Sequence, residues 1–204
     1  MLKELFDKYL CDKGTKHNYQ QVYEPDFEPL KDKQINILEI GVYKGASTCA
    51  LAEYFPKAKL YSVDIYERVD MNQITILKHN RVKTIKGSSM DPSVVDKMKE
   101  EWGKNIKFDI IIDDGMHTPK ANRLTFELMF PMLKKSGIYY VEDAWPLDIM
   151  TQEERNHRWL TDKPIDYNDV QMELFLDAIN KYNVTRHDNR KGNAADSYIF
   201  KITK

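Results

Sequence analysis

The chain has 204 residues, of which 42% are hydrophobic and 31% are charged, and its formal net charge is −1 at pH 7. This length is enough for one domain with a well-buried core, and the composition is that of an ordinary soluble globular protein. The nearly balanced charge excludes the basic surface that is typical of nucleic-acid binding or of attachment to an anionic membrane. We therefore expect neither a nucleic acid nor a membrane as a partner.

The chain contains two cysteines, Cys11 and Cys49. Two cysteines do not make a disulfide framework or a zinc site, so we expect free thiols in a reducing compartment. The N-terminus lacks the long apolar core of a signal peptide, and no window is long enough to span a bilayer. Together these features predict a cytoplasmic location.

The first part of the chain predicts a series of strands that alternate with helices or turns. Residues 2–10 predict a short helix with Leu10 on its apolar face, and a polar loop at 13–19 and a further short helix near 19–30 complete an N-terminal helical cap over residues 1–30. Five apolar runs then predict strands at 35–40, 60–64, 82–87, from 108 up to the carboxylates 113 and 114, and at 138–141. Helices or turns are expected at 47–54, 74–77, 92–102 and 119–133, and Gly137 closes the last of them.

The pattern changes after residue 145. Residues 146–166 form a polar segment without clear periodicity, and a helix capped by Asp166 or Asn168 then runs to about residue 182. Strands at 184–187 and 197–202, joined by a loop that contains Gly192, predict an antiparallel hairpin. We thus predict an α/β protein with a single domain over residues 1–204, built on a mostly parallel, seven-stranded, doubly wound sheet with an antiparallel C-terminal hairpin.

Acids and glycines follow the first two predicted strands. Gly41 and Gly45 lie in the turn after the strand that carries Glu39, and Asp64 ends the second strand. In open α/β sheets ligands bind at the carboxyl ends of the strands, where an acid after the second strand can accept hydrogen bonds from ribose hydroxyls. Glu39 would repel a pyrophosphate but suits an ammonium or sulfonium group, so we expect a nucleoside cofactor. Further residues expected to line it are Tyr43, Ser47, Ile65, Ser88, Ser89 and Asp113.

Two of these expectations have alternatives. Ser88 and Ser89 lie just beyond the third strand, near the expected position of the base, but they equally fit a serine turn that caps the following helix. Asp113 fits a role on the cofactor side or in the turn after the fourth strand. Two glycines after a strand are also commonly a tight turn and nothing more.

The fourth and fifth predicted strands also end in acids, Asp113-Asp114 and Glu142-Asp143. In the strand order of the class I methyltransferases, which the terminal hairpin resembles, these two strands are neighbours about 4.8 Å apart, so Asp114 and the Glu142-Asp143 pair should converge. Carboxylates that converge repel one another unless they are protonated or neutralised, and oxygen ligands favour Mg²⁺, Mn²⁺ or Ca²⁺. The alternative is that these acids bind lysines or helix N-termini at the edge of the sheet.

His117 follows Asp114 by three residues. Its ordinary pKa, about 6.5, suits a general base near neutral pH. A histidine in a loop is more commonly a surface residue, so the position beside the acids is what favours a catalytic role.

Four short segments carry a resemblance to a known family: residues 38–41, 63–66, 112–117 and 140–143. They resemble the metal-dependent O-methyltransferases of macrolide sugars, the mycinamicin type, and the related cephalosporin hydroxylase-like group. Residues 13–19 resemble that group's Gly-Thr-Asp-Lys loop with Lys16 in place of the aspartate, which leaves the role of the loop open. The terminal hairpin also resembles the class I methyltransferases that use S-adenosylmethionine, and not the all-parallel dehydrogenase sheet.

The resemblance implies a Rossmann-like methyltransferase fold with S-adenosylmethionine as cofactor. Glu39 would receive the amino-acid end of the cofactor and Asp64 its ribose. Mg²⁺ or Mn²⁺ would bind Asp114, Glu142 and Asp143, and His117 would act with Asp114 in catalysis as the base.

From these features we expect a metal-assisted O-methyltransferase that acts on a hydroxyl of a small molecule, most simply a sugar or glycoside. Residues 146–166, with Trp145 and Trp159 as aromatic surfaces, would form a lid over the acceptor, although core packing explains either tryptophan equally well. The alternatives are a catechol-type O-methyltransferase, a non-catalytic nucleoside-binding protein and, with less support, a dehydrogenase. A homo-oligomer is compatible with the sequence, which does not specify the acceptor.

Overall fold

A seven-stranded sheet with the order β3-β2-β1-β4-β5-β7-β6 forms the centre of the computed structural model, which describes all 204 residues. The first five strands are parallel, and β7 runs antiparallel to both β5 and β6. The predicted fold class and the terminal hairpin are therefore confirmed. The strands are β1 Asn36–Ile40, β2 Lys59–Asp64, β3 Val82–Lys86, β4 Phe108–Asp113, β5 Leu133–Val141, β6 Asn183–Asp188 and β7 Tyr198–Thr203.

Helices cover both faces of this sheet. They are α1 Leu2–Lys8, α2 Asp12–Thr15, α3 Gln20–Phe27, α4 Ala46–Tyr54, α5 Pro92–Trp102, α6 Pro119–Met129, α7 Gln152–Arg155, α8 Arg158–Thr161 and α9 Asp169–Ile179. Short 3-10 turns lie at 28–30, 71–73, 75–78 and 130–132. None of the helices combines the length and the apolar character that a membrane span requires.

The alternating side chains of the strands form two apolar layers, one on each face of the sheet. One layer buries apolar side chains of α5, α6 and α9. The other buries those of α1, α3 and α4. Two of the helices begin at caps that the sequence predicts, because Asp91 accepts a hydrogen bond from the amide of Ser93 and Asn168 accepts one from the amide of Gln171.

The structure corrects the prediction that Gly137 closes the helix after residue 119. That helix ends at Met129, a 3-10 turn follows, and Gly137 lies inside strand β5, which begins already at Leu133. The pairing of β4 with β5 shifts in register between Phe108 and Ile110. A β-carbon on Gly137 would lie 3.0 Å from the carbonyl oxygen of Asp109, so the glycine permits close approach of the two backbones at this irregularity.

The first helix is also shorter than predicted. It ends at Lys8, and Leu10 is 85% exposed with a φ of 53°, so it is not part of the apolar face. The predicted polar loop at 13–19 starts with the short helix α2, and the polar segment after residue 146 contains the short helices α7 and α8. These one-turn helices carry too few residues to produce a periodic pattern.

Candidate active site

The loops after β1, β2, β4 and β5 meet at the carboxyl edge of the sheet. Backbone hydrogen bonds join them, because the amide of Asp114 donates to the carbonyl of Ile40 and the amide of Glu142 donates to the carbonyl of Asp113, each over 2.9 Å. Four non-glycine residues in these loops have a positive φ: Tyr43, Tyr66, His117 and Asp143. Backbone strain of this kind persists where the surrounding structure holds it, and it clusters at functional sites.

Asp114, His117 and Asp143 converge at this edge, as the sequence predicts. The Nε2 atom of His117 lies 2.8 Å from Oδ1 of Asp114, and its Nδ1 atom lies 4.0 Å from Oδ2 of Asp143. One possible ligand atom from each of the three residues lies within 4.8 Å of the others. Two carboxylates and an imidazole at this spacing are compatible with a divalent cation that prefers oxygen ligands.

Glu142 is buried next to this group, and its carboxylate is bound by other side chains. Its side chain is 1% exposed, one carboxylate oxygen accepts a hydrogen bond from the Oη of Tyr23, and the other accepts one from the Nζ of Lys13. Both oxygens therefore have partners inside the protein. Glu142 does not belong to the three-residue group, and its role as a metal ligand stays a prediction.

Lys13 is a site residue that the sequence analysis does not single out. It lies in α2, is only 2% exposed, and places its Nζ 2.5 Å from Oδ2 of Asp114 as well as against Glu142. Lys16, which the comparison with the Gly-Thr-Asp-Lys loop singles out, is an exposed residue with its Nζ 3.7 Å from Asp12. The lysine that reaches the acids is therefore Lys13.

Tyr19 and His17 complete this N-terminal contribution, together with the contact from Tyr23 described above. The Oη of Tyr19 donates to Oδ1 of Asp143 over 2.6 Å and accepts from the amide of Asp143 over 3.2 Å. The Nδ1 atom of His17 lies 2.9 Å from the Oγ of Ser197 and 3.5 Å from Oδ1 of Asp143. We call residues 11–23 the N-terminal cover, since Lys13, His17, Tyr19 and Tyr23 all reach the acids from this one segment.

A sequence signal for the cover does exist. Tyr19, Tyr23 and Phe27 recur at intervals of four residues and therefore share one face of a helix. That face is fully buried, and a buried tyrosine hydroxyl requires a hydrogen-bond partner. The spacing predicts a buried aromatic stripe with polar tips, although it does not identify the acids as the partners.

The charges of this cluster shift the pKa values of its members. Burial alone would lower the pKa of His117, but the hydrogen bond to Asp114 and the nearby charge of Asp143 outweigh burial and raise the pKa to about 9. Burial would raise the pKa of Asp114, but Lys13 and His117 hold it well below the ordinary range of a carboxyl. Likewise, burial would lower the pKa of Lys13, whereas Asp114 and Glu142 hold it well above its ordinary value. Asp114 is therefore ionised between two cations.

The other acids have raised pKa values. Burial raises the pKa of Glu142 to about 7, and the ammonium of Lys13 opposes that rise. Burial likewise raises the pKa of Asp143, with His117 acting in the opposite direction. The pKa of Asp113 is raised to about 7 by burial, and the Oη of Tyr139 donates to its carboxyl group over 3.4 Å. Asp113 thus packs beneath the turn that follows β4 and stays apart from the group of Asp114, His117 and Asp143.

On the cofactor side, Glu39 is buried and has one free oxygen. Its side chain is 1% exposed, its Oε2 accepts a hydrogen bond from Oγ1 of Thr48 over 2.5 Å, and its Oε1 has no partner. The Oγ of the neighbouring Ser47 is buried and also without a partner. A buried unpaired carboxylate oxygen is costly, so the site fits a ligand that brings a positive, hydrogen-bond-donating group to Glu39.

Asp64 supports the glycine turn. One of its oxygens accepts hydrogen bonds from the amides of Val42 and Tyr43 over 2.6 Å and 3.0 Å, and the other accepts one from the amide of Tyr66 over 2.6 Å. These contacts fix the position of the carboxylate relative to Gly41 and Gly45, which both have a φ above 80°. Its predicted contact with a ribose stays a prediction.

The remaining predicted cofactor residues follow strands β1, β2 and β3. Tyr43 and Ile65 are 54% and 41% exposed, which places both side chains at the surface. The Oγ of Ser88 accepts a hydrogen bond from the amide of Met90, and the Oγ of Ser89 lies 2.8 Å from Oγ1 of Thr125. Only Ser88 forms a local serine turn, because Asp91 caps the following helix and Ser89 contacts α6. The contact of either serine with a base stays a prediction.

Segment 146–166 is packed on its inner side. Leu147, Met150 and Leu160 are buried in the core, and so is Trp145 immediately before the segment. Trp159 is 40% exposed and donates from Nε1 to the Oη of Tyr167 over 2.7 Å. Of the two tryptophans, Trp145 therefore serves core packing, and only Trp159 presents a surface to solvent.

A family model described as a methyltransferase domain matches residues 38–144, more than half of the 204 residues. The chain belongs to this methyltransferase-domain family. The matched region runs from the middle of β1 to just beyond β5 and contains Glu39, Asp64, Asp114, His117 and the Glu142-Asp143 pair. It leaves out the N-terminal cover and the terminal hairpin.

Curated relatives of this methyltransferase-domain protein are O-methyltransferases by name. Mycinamicin VI 2''-O-methyltransferase of Micromonospora griseorubida is 32% identical over 152 residues, which cover 71% of this chain and 36% of the relative. L-olivosyl-oleandolide 3-O-methyltransferase of Streptomyces antibioticus is 33% identical over 158 residues, which cover 71% of this chain and 38% of the relative. The chain thus spans little more than a third of the length of the curated relatives it matches.

A solved structure is similar over the whole chain. MycE methyltransferase from the mycinamycin biosynthetic pathway, determined in complex with Mg and SAH, matches with a TM-score of 0.70 and 26% identity over 100% of this chain and 54% of that chain. A second structure of MycE contains Mg, SAH and mycinamycin VI. A putative caffeoyl-CoA O-methyltransferase from Staphylococcus aureus, at 17% identity and a TM-score of 0.58 over 99% of this chain and 92% of that chain, shares the fold.

Proposed function

We propose that this methyltransferase-domain protein is an S-adenosylmethionine-dependent, divalent-metal-assisted O-methyltransferase whose acceptor is a hydroxyl of a sugar or glycoside. The observation that carries the proposal is the convergence of Asp114, His117 and Asp143 at the edge of the sheet where Glu39 offers a free buried carboxylate oxygen. The names of the similar curated proteins support the acceptor class.

Glu39 and its surroundings fit S-adenosylmethionine. Its unpaired Oε1 would accept a hydrogen bond from the ammonium of the amino-acid end. Asp64, fixed by the amides of Val42, Tyr43 and Tyr66, would present its carboxylate to the ribose hydroxyls. When bound, this cofactor supplies an electrophilic methyl group on a sulfonium centre.

Asp114 and Asp143 fit a hard divalent cation such as Mg²⁺ or Mn²⁺, with Glu142 as the third predicted ligand. When bound, such an ion supplies positive charge that lowers the pKa of an acceptor hydroxyl. MycE, which shares the fold over the full length of this chain, was determined with Mg. The oxygen-rich donor set of the two aspartates supports the same class of ion here.

His117 would take the acceptor proton. Its pKa of about 9 makes it an imidazolium at neutral pH as long as Asp114 and Asp143 present their full negative charge to it. Neutralising those carboxylates with a cation brings the pKa of His117 back toward the range where the imidazole acts as a base. In the overall reaction the acceptor oxygen gains the methyl group, the carbon–sulfur bond breaks with its electron pair on sulfur, and the proton passes to His117.

A polar cleft of about 430 Å³ is a candidate path for the acceptor. It lies between residues of the 146–166 segment, among them Glu154 and His157, and residues of the loop before β7, among them Arg190 and Ala195. Ala195 precedes Asp196, whose carbonyl oxygen lies 3.4 Å from the Oη of Tyr19. A polar lining suits a hydroxyl-rich ligand, so we propose that the 146–166 segment forms one wall over the acceptor.

The acceptor class can be tested with a panel of compounds. Methyl-labelled S-adenosylmethionine is incubated with the protein, Mg²⁺ and either glycosides of deoxysugars or planar catechols. We expect label on a hydroxyl of a glycoside and little on catechols. Preferential labelling of catechols would favour the catechol-type alternative, and tight cofactor binding without transfer to any compound would favour a non-catalytic nucleoside-binding protein.

A further inference from the structure

The acid cluster contains a buried cation that belongs to the protein itself. Lys13 is 2% exposed, and its Nζ donates hydrogen bonds to Oδ2 of Asp114 and to Oε2 of Glu142. The two acids follow neighbouring strands, while Lys13 precedes them by 101 and 129 residues. The ammonium therefore joins the ends of β4 and β5 from outside the sheet.

Every oxygen of these two carboxylates has a partner inside the chain. Asp114 binds Lys13 through Oδ2 and His117 through Oδ1. Glu142 binds Lys13 through Oε2 and Tyr23 through Oε1. A buried carboxylate without a compensating charge is strongly unfavourable, and here the compensating charge comes from the N-terminal cover.

We propose that Lys13 is a positioning residue that acts as a built-in cation of the active site. It offsets part of the negative charge of Asp114 and Glu142 and holds the N-terminal cover over the site. It also holds Asp114 with its Oδ1 toward His117, so that the carboxylates of Asp114 and Asp143 form the face that is open to a divalent ion. This inference extends the proposed function but depends only on the charge balance of the site.

The ammonium has a consequence for metal affinity. A fixed positive charge bound to the Oδ2 atom of Asp114 repels a divalent ion that binds the same carboxylate. Removal of the charge should therefore tighten metal binding, whereas a purely structural role in shaping the metal site predicts weaker binding. The two roles of Lys13 therefore predict opposite changes in metal affinity.

The first test is a double-mutant cycle in EDTA with the wild type, Lys13→Met, Glu142→Gln and the double variant. Methionine retains the length of the lysine side chain, and glutamine retains an oxygen that can accept from Tyr23. We expect Lys13→Met to lower the urea midpoint most, and the double variant to regain more than half of that loss. Additive losses would overturn the proposal. If Lys13→Met does not fold, recovery of a folded protein in the double variant supports the proposal, and failure of the double variant beside a folded Glu142→Gln contradicts it.

The second test measures Mn²⁺ binding by electron paramagnetic resonance of the free ion, without any activity assay. We expect Lys13→Met to bind Mn²⁺ about tenfold more tightly than the wild type, as removal of a neighbouring charge predicts. Lys16→Met is the matched control, since Lys16 is exposed and three residues away, and it should bind as the wild type does. Equal or weaker binding by Lys13→Met would overturn the proposal.

The two tests separate this inference from the proposed function. Methyl transfer could fail with every acceptor while the cycle still shows coupling between Lys13 and Glu142, which would support the built-in cation. Conversely, methyl transfer with the expected metal dependence but without coupling in the cycle would contradict the role of Lys13 and leave the proposed function intact.

Discussion

Gly41 lies directly against the backbone of Asp114: a β-carbon built on Gly41 would be 2.0 Å from the carbonyl oxygen of Asp114. The turn after β1, which borders the proposed cofactor pocket, and the turn after β4, which carries the proposed metal ligand and base, are thus in contact through their backbones. Only a residue without a side chain fits at this position, and its φ of 85° also favours glycine.

We therefore expect Gly41→Ala to disturb both halves of the site. The positive φ and the overlap with Asp114 should together lower the free energy of unfolding by about 3 kcal/mol, measured by urea denaturation. Gly192→Ala is a matched control, because Gly192 has a similar φ of 81° but open space around it. That variant should lose only about 1 kcal/mol. Equal losses in the two variants would show that the contact with Asp114 has no cost.

Glu39→Gln should weaken cofactor binding and leave the fold intact. The substitution removes the charge that would face an ammonium group, so the affinity for S-adenosylmethionine, measured by calorimetry, should fall about tenfold or more. Methylthioadenosine lacks the amino-acid end and should bind the variant as well as the wild type. An equal loss of affinity for both compounds would contradict the assignment of Glu39 to the amino-acid end.

The thiol of Cys11 reports on the N-terminal cover. Cys11 is 3% exposed, and burial raises its pKa to about 12, so the reactive thiolate is scarce at pH 8. We expect iodoacetamide to modify Cys11 at least about 100-fold more slowly in the folded protein than in urea, with peptide mass spectrometry as the readout. Cys49 is partly exposed and serves as an internal comparison. Equally fast modification in folded and unfolded protein would mean that the cover is open in solution.

His187 should contribute to loss of stability in acid. Burial and the nearby Lys201 lower its pKa below 6.5, and its buried Nε2 has no partner. Because the unfolded chain then binds a proton at higher pH than the folded protein, this residue lowers stability as pH falls through the unfolded pKa, about 6.5. The drop in urea midpoint from pH 7.5 to pH 5 should be smaller in His187→Gln than in the wild type. An equal or larger drop in the variant would contradict this sign.

The strand-end residues of the site were predictable from the sequence because their signals are local. Asp64 and Asp114 come at the end of an apolar run of strand length, Glu39 lies one residue before the end of β1, and parallel strands bring such positions to one edge. The pairing of β4 with β5 then places Asp143 near Asp114. Strand periodicity predicts the strand ends themselves, and the adjacency of β4 and β5 comes from the strand order that the family resemblance implies.

The contribution of the N-terminal cover was not predictable in the same way. Lys13 lies in a helix of four residues, and its contacts are with acids more than 100 positions away. A lysine beside Gly14 in a polar stretch has the sequence pattern of an exposed loop residue, so its burial depends on tertiary contacts that no local pattern records. The prediction for Gly137 is wrong for a related reason, since a glycine after a helix and a glycine at a strand irregularity look alike in sequence.

The central claim is that methyl transfer depends on a divalent ion at Asp114 and Asp143 while the cofactor binds separately beside Glu39. The most direct measurement combines transfer of label from S-adenosylmethionine to a glycoside with calorimetric cofactor binding, on the same sample before EDTA treatment, after it and after return of Mg²⁺. We predict that EDTA abolishes transfer, that Mg²⁺ restores it, and that cofactor affinity changes less than about threefold. Full transfer in EDTA would contradict the metal role, and loss of cofactor binding in parallel with transfer would contradict the separation of the two sites.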